Sequence, residues 1–599
     1  MAGREASEGM VTTERPGSNF REFLLSQEFR RTPGLGLAER RELTLAWCLR
    51  LAQEGYGRFG LPLDLGGDPA QLFQLCEALA LFDLGLMVKF GVHVGLVQAT
   101  IARLGTQKHR LWLEKTPTFE RIGCFAMTET AHGSDVRSLE TTAKYDAVSG
   151  DFLLETPRPE AAKDYIGSAA QHGHFAIVFA QLEVGEIKHG VHAFLVELRD
   201  AEGELAQGIT VEDCGHKSGL DGVDNGRITF SGVRVPRDQL LDRYGGVDAE
   251  GKYQTSIGSA SARFFAMLGN LLAGRLIVCG ATWAGAKSAL AIALHYGGRR
   301  RQFGQQVLLD YQAHQLRLLP RVAQAYAMTA ALGETRQEYL ESLDSQQPVG
   351  RELETRIAAL KAYSSWSANE TVQQCRECCG GAGYLWENRL GTLRADLDIF
   401  TTFEGDNTVL GLLVAKNLLA ELKDRAPTVI AAHRAGLVAG RGSRSRALLK
   451  RSDGSDLRTP EFQRVAFRAR RKRLTVSLAR RVAKGLAAGL SSDAAFNACQ
   501  AHALATATAF AQEKVYEAFA RQVEEQESLA PLRDLFALWT LQNEAAYYLE
   551  KGLLSGRQVS GIRKAVVSLC LELRDYAEEL VNYFDIPDQL LGAPRLIEA

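Results

Sequence analysis

The sequence has no excess of charge of either sign and no long uninterrupted apolar run. Its 70 Lys and Arg residues balance 71 Asp and Glu residues, for a formal charge of −1. This balance argues against general nucleic-acid binding and against strong attraction to an anionic membrane. The longest apolar stretch, around residues 265–294, is interrupted by Arg275 and Lys287, and a bilayer requires about 20 apolar residues. We therefore expect no membrane span.

Targeting and disulfide signals are also missing. The first 19 residues are polar and lack the apolar centre of a signal peptide. The last three residues are Ile597, Glu598 and Ala599 rather than the Ser-Lys-Leu peroxisomal signal. Ten cysteines in 599 residues, without an export signal, are typical of reduced thiols. These features predict a bacterial cytosolic protein with a frayed N-terminal tail.

The sequence does have enough apolar residues for a large core, 46% of the chain, and no internal repeat. Apolar residues at helical spacing alternate along the chain with short β-rich runs bounded by glycine. The pattern predicts a mainly α protein with a central β domain. The predicted domains are an N-terminal helical domain, 20–120; a central β domain, 121–250; a helical bundle, 251–425; and a C-terminal helical domain, 426–599, which opens with a Gly-, Ser- and Arg-rich connection over 426–460.

Two local patterns place elements more closely. Apolar residues on either side of Ser231-Gly232 predict two strand pieces joined by a bend. Thr459-Pro460-Glu461 predicts a helix start, with a capping hydroxyl, proline in the first turn and an acid near the positive end of the helix dipole.

Two segments have residues suited to binding a cofactor. Residues 124–135 include Thr128, Glu129 and His132 on a turn entering the β zone; they could bind a polar cofactor edge or form a plain surface turn. The arginines of residues 299–301 could hold a pyrophosphate through charge-assisted bonds, or simply end a solvated helix.

Two later segments combine glycine turns with reactive groups. Cys375 and Cys378 have zinc-like spacing but no second ligand pair at a matching interval, so the glycines that follow better fit a helix end where backbone N–H groups approach an anion. Glu404 lies on a glycine turn beside Phe403, where desolvation can raise the pKa of a carboxylate towards that of a useful base. The alternative for this turn is a helix N-cap at Asp406 or Asn407.

Taken in order, these segments resemble the acyl-CoA oxidases of the acyl-CoA dehydrogenase and oxidase superfamily. The resemblance covers residues 25–425 in detail and the remainder in length and helical character. The segments that carry it are Met127-Thr128-Glu129, His132-Gly133-Ser134, Cys214-Gly215-His216-Lys217, residues 222–227, Arg301-Gln302-Phe303, residues 379–384 and residues 403–407.

The resemblance implies an acyl-CoA oxidase-like fold: an N-terminal helical domain, a β-barrel-like domain, a helical bundle and an extra C-terminal helical domain. FAD would lie between the β domain and the bundle and reach across a homodimer. Glu404 would remove the α-proton of an acyl-CoA, and the β-hydrogen would leave as hydride to the flavin, giving a trans-2-enoyl-CoA. No metal is implied. The implied FAD-binding residues are Thr128, Gly133, Tyr165, Gly167, Arg300, Gln302, Phe303, Gly380, Gly381 and Asp406, and the implied CoA-binding residues are Ser134 and Arg275.

Three features favour dioxygen over an electron-transfer protein as the electron acceptor. Dehydrogenases of the superfamily usually have Trp-Ile-Thr where this chain has Tyr165, Ile166 and Gly167, and a glycine leaves room for dioxygen beside flavin N5. The final helical domain and the Gly-Asp-Asn sequence after Glu404 are also typical of oxidases. We therefore predict a β-oxidation enzyme that releases hydrogen peroxide; the alternative is an acyl-CoA dehydrogenase.

Two functions of other classes compete with this prediction. The intact Glu404 speaks against a catalytically silent acyl-CoA-binding scaffold. A nucleic-acid role would depend on residues 441–473, which hold 12 Lys or Arg and 3 Asp or Glu. No aromatic residues interleave the dense patch of residues 470–473, so the patch is better interpreted as a solvated helix face, an attraction for CoA phosphates or an interdomain contact.

Overall fold

The computed structural model describes residues 18–269, 271–345, 349–434 and 456–597. It separates into two compact units, a first unit of Pro16–Ala281 and a second unit of Thr282–Ala599. Most of the predicted N-terminal tail and much of the predicted 426–460 connection lie outside the described residues. The bounds of the four predicted domains stay predictions.

Helices open and close the first unit. Aspartate side chains cap two of them: Asp68 accepts a hydrogen bond from the N–H of Gln71 at 3.0 Å, and Asp83 accepts one from the N–H of Leu86 at 2.9 Å. The predicted helical character of residues 20–120 is confirmed. The helices are α1 Ser18–Phe23, α2 Leu37–Gln53, α3 Pro69–Phe82, α4 Leu84–Gly91, α5 Gln98–Leu104, α6 Ala260–Leu268 and α7 Leu271–Arg299, which continues into the second unit.

The strands of the first unit lie between α5 and α6. Their bounds are β1 Gly123–Ala126, β2 Thr142–Tyr145, β3 Phe152–Glu155, β4 Lys163–Ile166, β5 Phe175–Val184, β6 Ile187–Glu197, β7 Ile209–Asp213, β8 Gly226–Phe230, β9 Val233–Val235, β10 Gly246–Val247 and β11 Tyr253–Gln254. The main sheet has the order β1-β5-β2-β3-β9, with β6 antiparallel to β5 along its other edge. A second sheet has the order β4-β8-β7, and β10 pairs with β11.

Strand β5 is the centre of this unit because both of its faces are buried. Successive side chains of a strand point to opposite faces. Ala176 and Val178 pack into a core shared with Phe230 of the second sheet, whereas Ile177 and Phe179 pack into a core that contains residues of α5 and α6. The predicted bend is confirmed: Gly232, at φ 60°, separates β8 from β9, and the two strands belong to different sheets.

The second unit is helical in its described part. Three of its helices contribute to one packing core, in which residues such as Ala358, Leu410 and Phe510 are buried. The helices that follow α7 are α8 Gln312–Asp344, α9 Arg351–Cys378, α10 Leu390–Ile399, α11 Asn407–Arg434, α12 Pro460–Ala487, α13 Ser492–Asn497, α14 Gln500–Glu525, α15 Ala530–Asn543, α16 Ala545–Glu550, α17 Gly556–Arg574, α18 Ala577–Asn582, α19 Asp588–Leu591 and α20 Pro594–Ile597.

The predicted start of α12 is confirmed, since the Thr459 hydroxyl accepts a hydrogen bond from the N–H of Phe462 at 3.3 Å. The basic patch on this helix differs from a solvated face. Arg470 is only 5% exposed and forms an ion pair with Glu544 at 2.7 Å, and Arg471 pairs with Glu513 of α14 at 2.7 Å. These arginines therefore join helices of the second unit to one another.

Two helical stretches, Leu84–Leu104 and Ala260–Arg299, have the length and mean hydropathy of a membrane span. Their most apolar windows are 78% and 62% buried inside the protein, respectively. Such burial is common for core helices of globular proteins.

Candidate active site

The predicted site residues of the first unit gather where two segments run side by side. The carbonyl oxygen of Thr128 accepts a hydrogen bond from the N–H of Asp164 at 3.0 Å, and Glu129 forms an isolated β-bridge with Lys163. This pairing places Thr128 beside the segment that contains Tyr165.

A buried ion pair joins the same two segments. The Lys163 ammonium lies 2.9 Å from the Glu129 carboxylate, and both side chains are 0% exposed. Glu129 also accepts hydrogen bonds from the N–H of Glu140 at 2.7 Å and from the hydroxyl of Thr141 at 2.6 Å. Burial alone would raise the pKa of Glu129, but the Lys163 charge and these hydrogen bonds hold that pKa below its usual value. Sequence reasoning missed this role for Glu129 and Lys163, although both flank predicted site residues.

Tyr165 lies on a β-bulge. Strand β4 pairs with β8 at Lys163↔Ile228 and Ile166↔Gly226, so β4 has one extra residue between these pairs. Tyr165 has φ 63°, which is uncommon for a residue other than glycine, and its side chain is 63% exposed. A tyrosine held in this conformation is typical of a functional site.

Two groups from elsewhere hold the bulge in place. The carboxylate of Asp164, which is 1% exposed, accepts hydrogen bonds from the N–H of Tyr165 at 2.9 Å and from the guanidinium of Arg227. The side-chain amide of Asn225 donates to the carbonyl of Tyr165 at 2.8 Å. Asn225 and Arg227 belong to the segment 222–227 that carries the resemblance. Their contacts show that this segment holds the bulge at Tyr165.

A second buried polar cluster lies beside the chain segment that follows Gly167. The Lys89 ammonium contacts Asp224, and Asp224 accepts hydrogen bonds from the N–H groups of Gln171 and His172 at 2.9 and 3.0 Å. Burial would raise the pKa of Asp224, but the hydrogen bond from His172 and the charge of Lys89 lower that pKa well below its usual range. At Gly167 itself, an added Cβ would lie 3.6 Å from the side chain of Val223, an ordinary contact.

The other predicted residues of the first unit are Gly133, Ser134 and Arg275. Gly133 and Ser134 lie on the surface, and no heavy atom would come within 4 Å of a Cβ added at Gly133. Arg275 is half-buried on α7.

In the second unit, Glu404 lies on a tight turn between α10 and α11. Glu404 and Gly405 both have left-handed backbones, with φ 54° and 95°. The Glu404 residue is half-buried, and its Oε2 atom is buried. The neighbouring Phe403 packs its ring against Phe400, with 4.8 Å between the ring centroids. The turn therefore holds a half-buried carboxylate with one buried oxygen atom.

The contacts of Asp406 and Asn407 show which of the two residues is the N-cap of α11. The Asp406 carboxylate accepts hydrogen bonds from the N–H groups of Thr408 and Val409 at 2.8 and 3.1 Å, so Asp406 caps α11. Asn407 is buried and bonded to α9 instead: its side-chain amide donates to Ser365, and its side-chain oxygen accepts from the Lys361 ammonium. Sequence reasoning missed Lys361.

The glycine turn after α9 has the open geometry expected for an anion site. Gly380 has φ 57°, and no heavy atom would come within 4 Å of a Cβ added at Gly380 or Gly381. At the third glycine of the motif, Gly383, there is no space for a side chain, because a Cβ there would clash with the carbonyl of Arg376. Within the part of the chain that the structure describes, no group of three or more His, Cys, Asp or Glu residues is placed to hold a metal ion.

The loop after α7 exposes the predicted arginine and aromatic residues. Arg301 forms a β-bridge with Val307, and the N–H of Gln302 donates to the carbonyl of Gln306 at 3.1 Å. At the tip, Phe303 has φ 51° and is 92% exposed. Arg300 is exposed as well. The ring of Phe303 is therefore accessible at the surface of this chain.

Comparison with known families agrees with this arrangement. Residues 124–233 match the acyl-CoA dehydrogenase middle domain, residues 268–419 match the acyl-CoA oxidase C-alpha1 domain, and residues 459–594 match the acyl-CoA oxidase family. The matched ranges contain the bulge at Tyr165, the turn at Glu404 and the basic helix α12.

Two curated relatives are similar over most of the chain. Acyl-coenzyme A oxidase 2 of Arabidopsis thaliana is 36% identical, with 94% of this chain and 84% of the relative covered. Acyl-coenzyme A oxidase 3 of Homo sapiens is 35% identical, with 94% and 85% covered. Both relatives are named peroxisomal and both are eukaryotic, so the expectation of a bacterial cytosolic protein is wrong.

Solved structures share the fold. Acyl-CoA oxidase 1 of Yarrowia lipolytica has a TM-score of 0.85 at 26% identity and covers 99% of this chain and 88% of its own. Acyl-CoA oxidase 2 of Caenorhabditis elegans, bound with FAD, ascaroside-CoA and ATP, has a TM-score of 0.81 at 26% identity, with 96% and 87% covered. The predicted fold class is confirmed, the dehydrogenase alternative is not favoured, and the chain belongs to the acyl-CoA oxidase family.

Proposed function

We propose that this oxidase removes the α-proton of an acyl-CoA thioester with the carboxylate of Glu404. The observation that carries the proposal is the turn between α10 and α11, where Glu404 holds a left-handed backbone at φ 54° and has a buried carboxylate oxygen. A strained, partly desolvated carboxylate is expensive to maintain and is therefore most common at functional sites.

The chemistry requires these properties of Glu404. An α-proton beside a thioester is too weakly acidic for an ordinary, solvated carboxylate to remove at a useful rate. Water exclusion favours the protonated form of the carboxyl group and so strengthens it as a base. The negative charge that develops on the thioester oxygen needs fixed hydrogen-bond donors, which cost no reorganisation during the reaction.

The open positions of the chain fit FAD. The pyrophosphate can approach the exposed turn at Gly380 and Gly381, where added Cβ atoms would occupy open space. In the first unit, Thr128, Gly133 and the exposed ring of Tyr165 are proposed to bind the polar edge and the face of the flavin. In the second unit, Asp406 is proposed as a further FAD-binding residue, and its carboxylate caps α11. When bound, FAD supplies the redox chemistry, accepting the hydride and passing electrons to dioxygen.

Two further groups of residues are proposed to bind the substrate and to contact a second subunit. Ser134 and Arg275 are proposed to bind the CoA portion, and one similar oxidase, from Caenorhabditis elegans, is bound with ascaroside-CoA. Arg300, Gln302 and Phe303 are proposed to contact the FAD of a second subunit in a homodimer, which would cover the 92% exposed ring of Phe303. Sedimentation of Phe303→Asp tests this assignment: a shift to monomers with loss of FAD supports it, and an unchanged dimer contradicts it.

Substitution of Glu404 tests the central assignment. Glu404→Gln should bind FAD and acyl-CoA normally but reduce the flavin at least ~100-fold more slowly in anaerobic stopped-flow experiments, in line with general-base contributions. Asp398→Asn changes an exposed acid shortly before the turn and is the matched control, which should reduce at the parent rate. Near-normal reduction by Glu404→Gln would remove Glu404 from this role.

A further inference from the structure

We propose that Lys361 is a positioning residue for Glu404. Its buried ammonium binds the backbone of the Glu404 turn and fixes where the carboxylate points. The inference rests on the proposed role of Glu404 as the base, and it adds a second residue on which the proton-removal step depends.

Lys361 lies in the middle of α9 with its side chain turned into the interior of the second unit. The residue is 0% exposed. Its Nζ donates a hydrogen bond to the carbonyl oxygen of Gly405 at 2.7 Å and another to the side-chain oxygen of Asn407 at 3.1 Å. One lysine thus contacts the residue directly after Glu404 and the first residue of α11.

Asn407 and Ser365 extend this contact into a network. The side-chain amide of Asn407 donates to the Ser365 hydroxyl at 2.9 Å, and that hydroxyl donates to the carbonyl of Lys361 at 2.9 Å. Ser365 lies one helical turn beyond Lys361, so both point to the same face of α9. Because the network is buried, each of its hydrogen bonds has no water to replace it.

The turn needs such a tether because its backbone is unfavourable. Two successive left-handed residues, Glu404 and Gly405, are required to reverse the chain between α10 and α11, and a glutamate at φ 54° is strained by its Cβ. The N–H of Asn407 closes the turn on the carbonyl of Thr401 at 3.1 Å. Without Lys361, the carbonyl of Gly405 loses its donor, and the turn can relax to a more ordinary conformation.

Such a relaxation would act on catalysis through distance alone. Proton removal requires the carboxylate and the α-carbon in a near-attack geometry, and a displacement of about 1 Å can cost about 100-fold in rate. We therefore expect Lys361→Met to slow α-proton removal by about 100-fold, while FAD content and acyl-CoA affinity stay within about threefold of the parent.

The test isolates proton removal from hydride transfer. The probe is a 3-thiaacyl-CoA, whose sulfur at the β-position carries no hydrogen, so that only exchange of the α-protons into D2O can occur. Exchange is measured by mass spectrometry on FAD-loaded enzyme, and the affinity of the probe is measured separately. Arg470→Met is the matched control because it removes another buried cation of the second unit that does not contact the turn.

The outcomes separate this inference from the role of Glu404. Slow exchange by Lys361→Met at unchanged probe affinity, with parent-like exchange by Arg470→Met, supports the inference. Exchange by Lys361→Met within about threefold of the parent, together with no exchange by Glu404→Gln, overturns the inference and leaves Glu404 as the base. Full exchange by Glu404→Gln overturns the proposed function itself. If Lys361→Met does not fold, Lys361→Gln, which keeps a polar group on the same face, is judged by the same criteria.

Discussion

Removing the charge of Glu129 should destabilise the first unit strongly. Glu129→Gln leaves the Lys163 ammonium buried without its carboxylate, and both side chains are 0% exposed. Breaking a buried ion pair by removing one member typically costs about 3–5 kcal/mol. The glutamine would also place an amide group near the N–H of Glu140 or the hydroxyl of Thr141, which both donate to the present carboxylate. We therefore expect a loss of about 4 kcal/mol in the free energy of unfolding.

Urea unfolding of the holoenzyme measures this loss, with the fluorescence of Trp47 and Trp112 reporting on the first unit. Glu212→Gln is the control, since Glu212 is a 75% exposed acid of the same unit and surface pairs contribute about 0–1 kcal/mol. The double variant Glu129→Leu/Lys163→Met should be less destabilised than the sum of its single variants, because no unpaired charge remains buried.

Two results would refute this reasoning. The first is a Glu129→Gln protein within about 1 kcal/mol of the parent, which is the range of surface pairs. The second is a double variant whose loss equals the sum of the two single losses, since independent sites are additive. Either would mean that the ion pair does not hold the Thr128 and Tyr165 segments together.

Three further predictions follow from the site and the core. Gly167→Thr should slow reoxidation of the reduced flavin in stopped-flow mixing with air-saturated buffer. The variant should fold, because the added Cβ would lie 3.6 Å from the side chain of Val223. An unchanged rate would refute the proposed space for dioxygen. Gly380→Ala should weaken FAD binding, measured by flavin fluorescence, since φ 57° is strained for alanine; parent-like affinity would argue against this turn as the pyrophosphate site. Burial lowers the pKa of His93 and of His192 to about 4, so the unfolded state binds more protons than the folded state between pH 4 and 6.5. The free energy of unfolding should therefore fall by about 2 kcal/mol for each histidine from pH 7 to pH 5. A flat pH profile of urea unfolding over this range would contradict these values.

Local patterns sufficed for several of the elements. The helix start at Thr459 and the bend at Gly232 depend on neighbouring residues only, and both are confirmed. The sequence marks Glu404 as a candidate base because its turn combines an acid with glycine and an aromatic neighbour within a few residues, and this role stays a prediction.

The supporting residues could not be predicted because their contacts are distant along the chain. Lys361 and Gly405 are 44 residues apart, and Lys163 and Glu129 are 34 residues apart. A lysine in a helical pattern gives no sign that it is buried, since most lysines are exposed. The basic patch on α12 misled for the same reason: the acid that pairs with Arg471 lies on α14, 42 residues later.

The measurement that tests the account most directly is the stoichiometry of turnover in air. An acyl-CoA is incubated with the FAD-loaded enzyme in aerated buffer, and trans-2-enoyl-CoA and hydrogen peroxide are quantified in the same sample. The account predicts equal amounts of the two products, with none of either from Glu404→Gln over the same time. Enoyl-CoA formed without peroxide, and only when an electron-transfer protein is added, would contradict it.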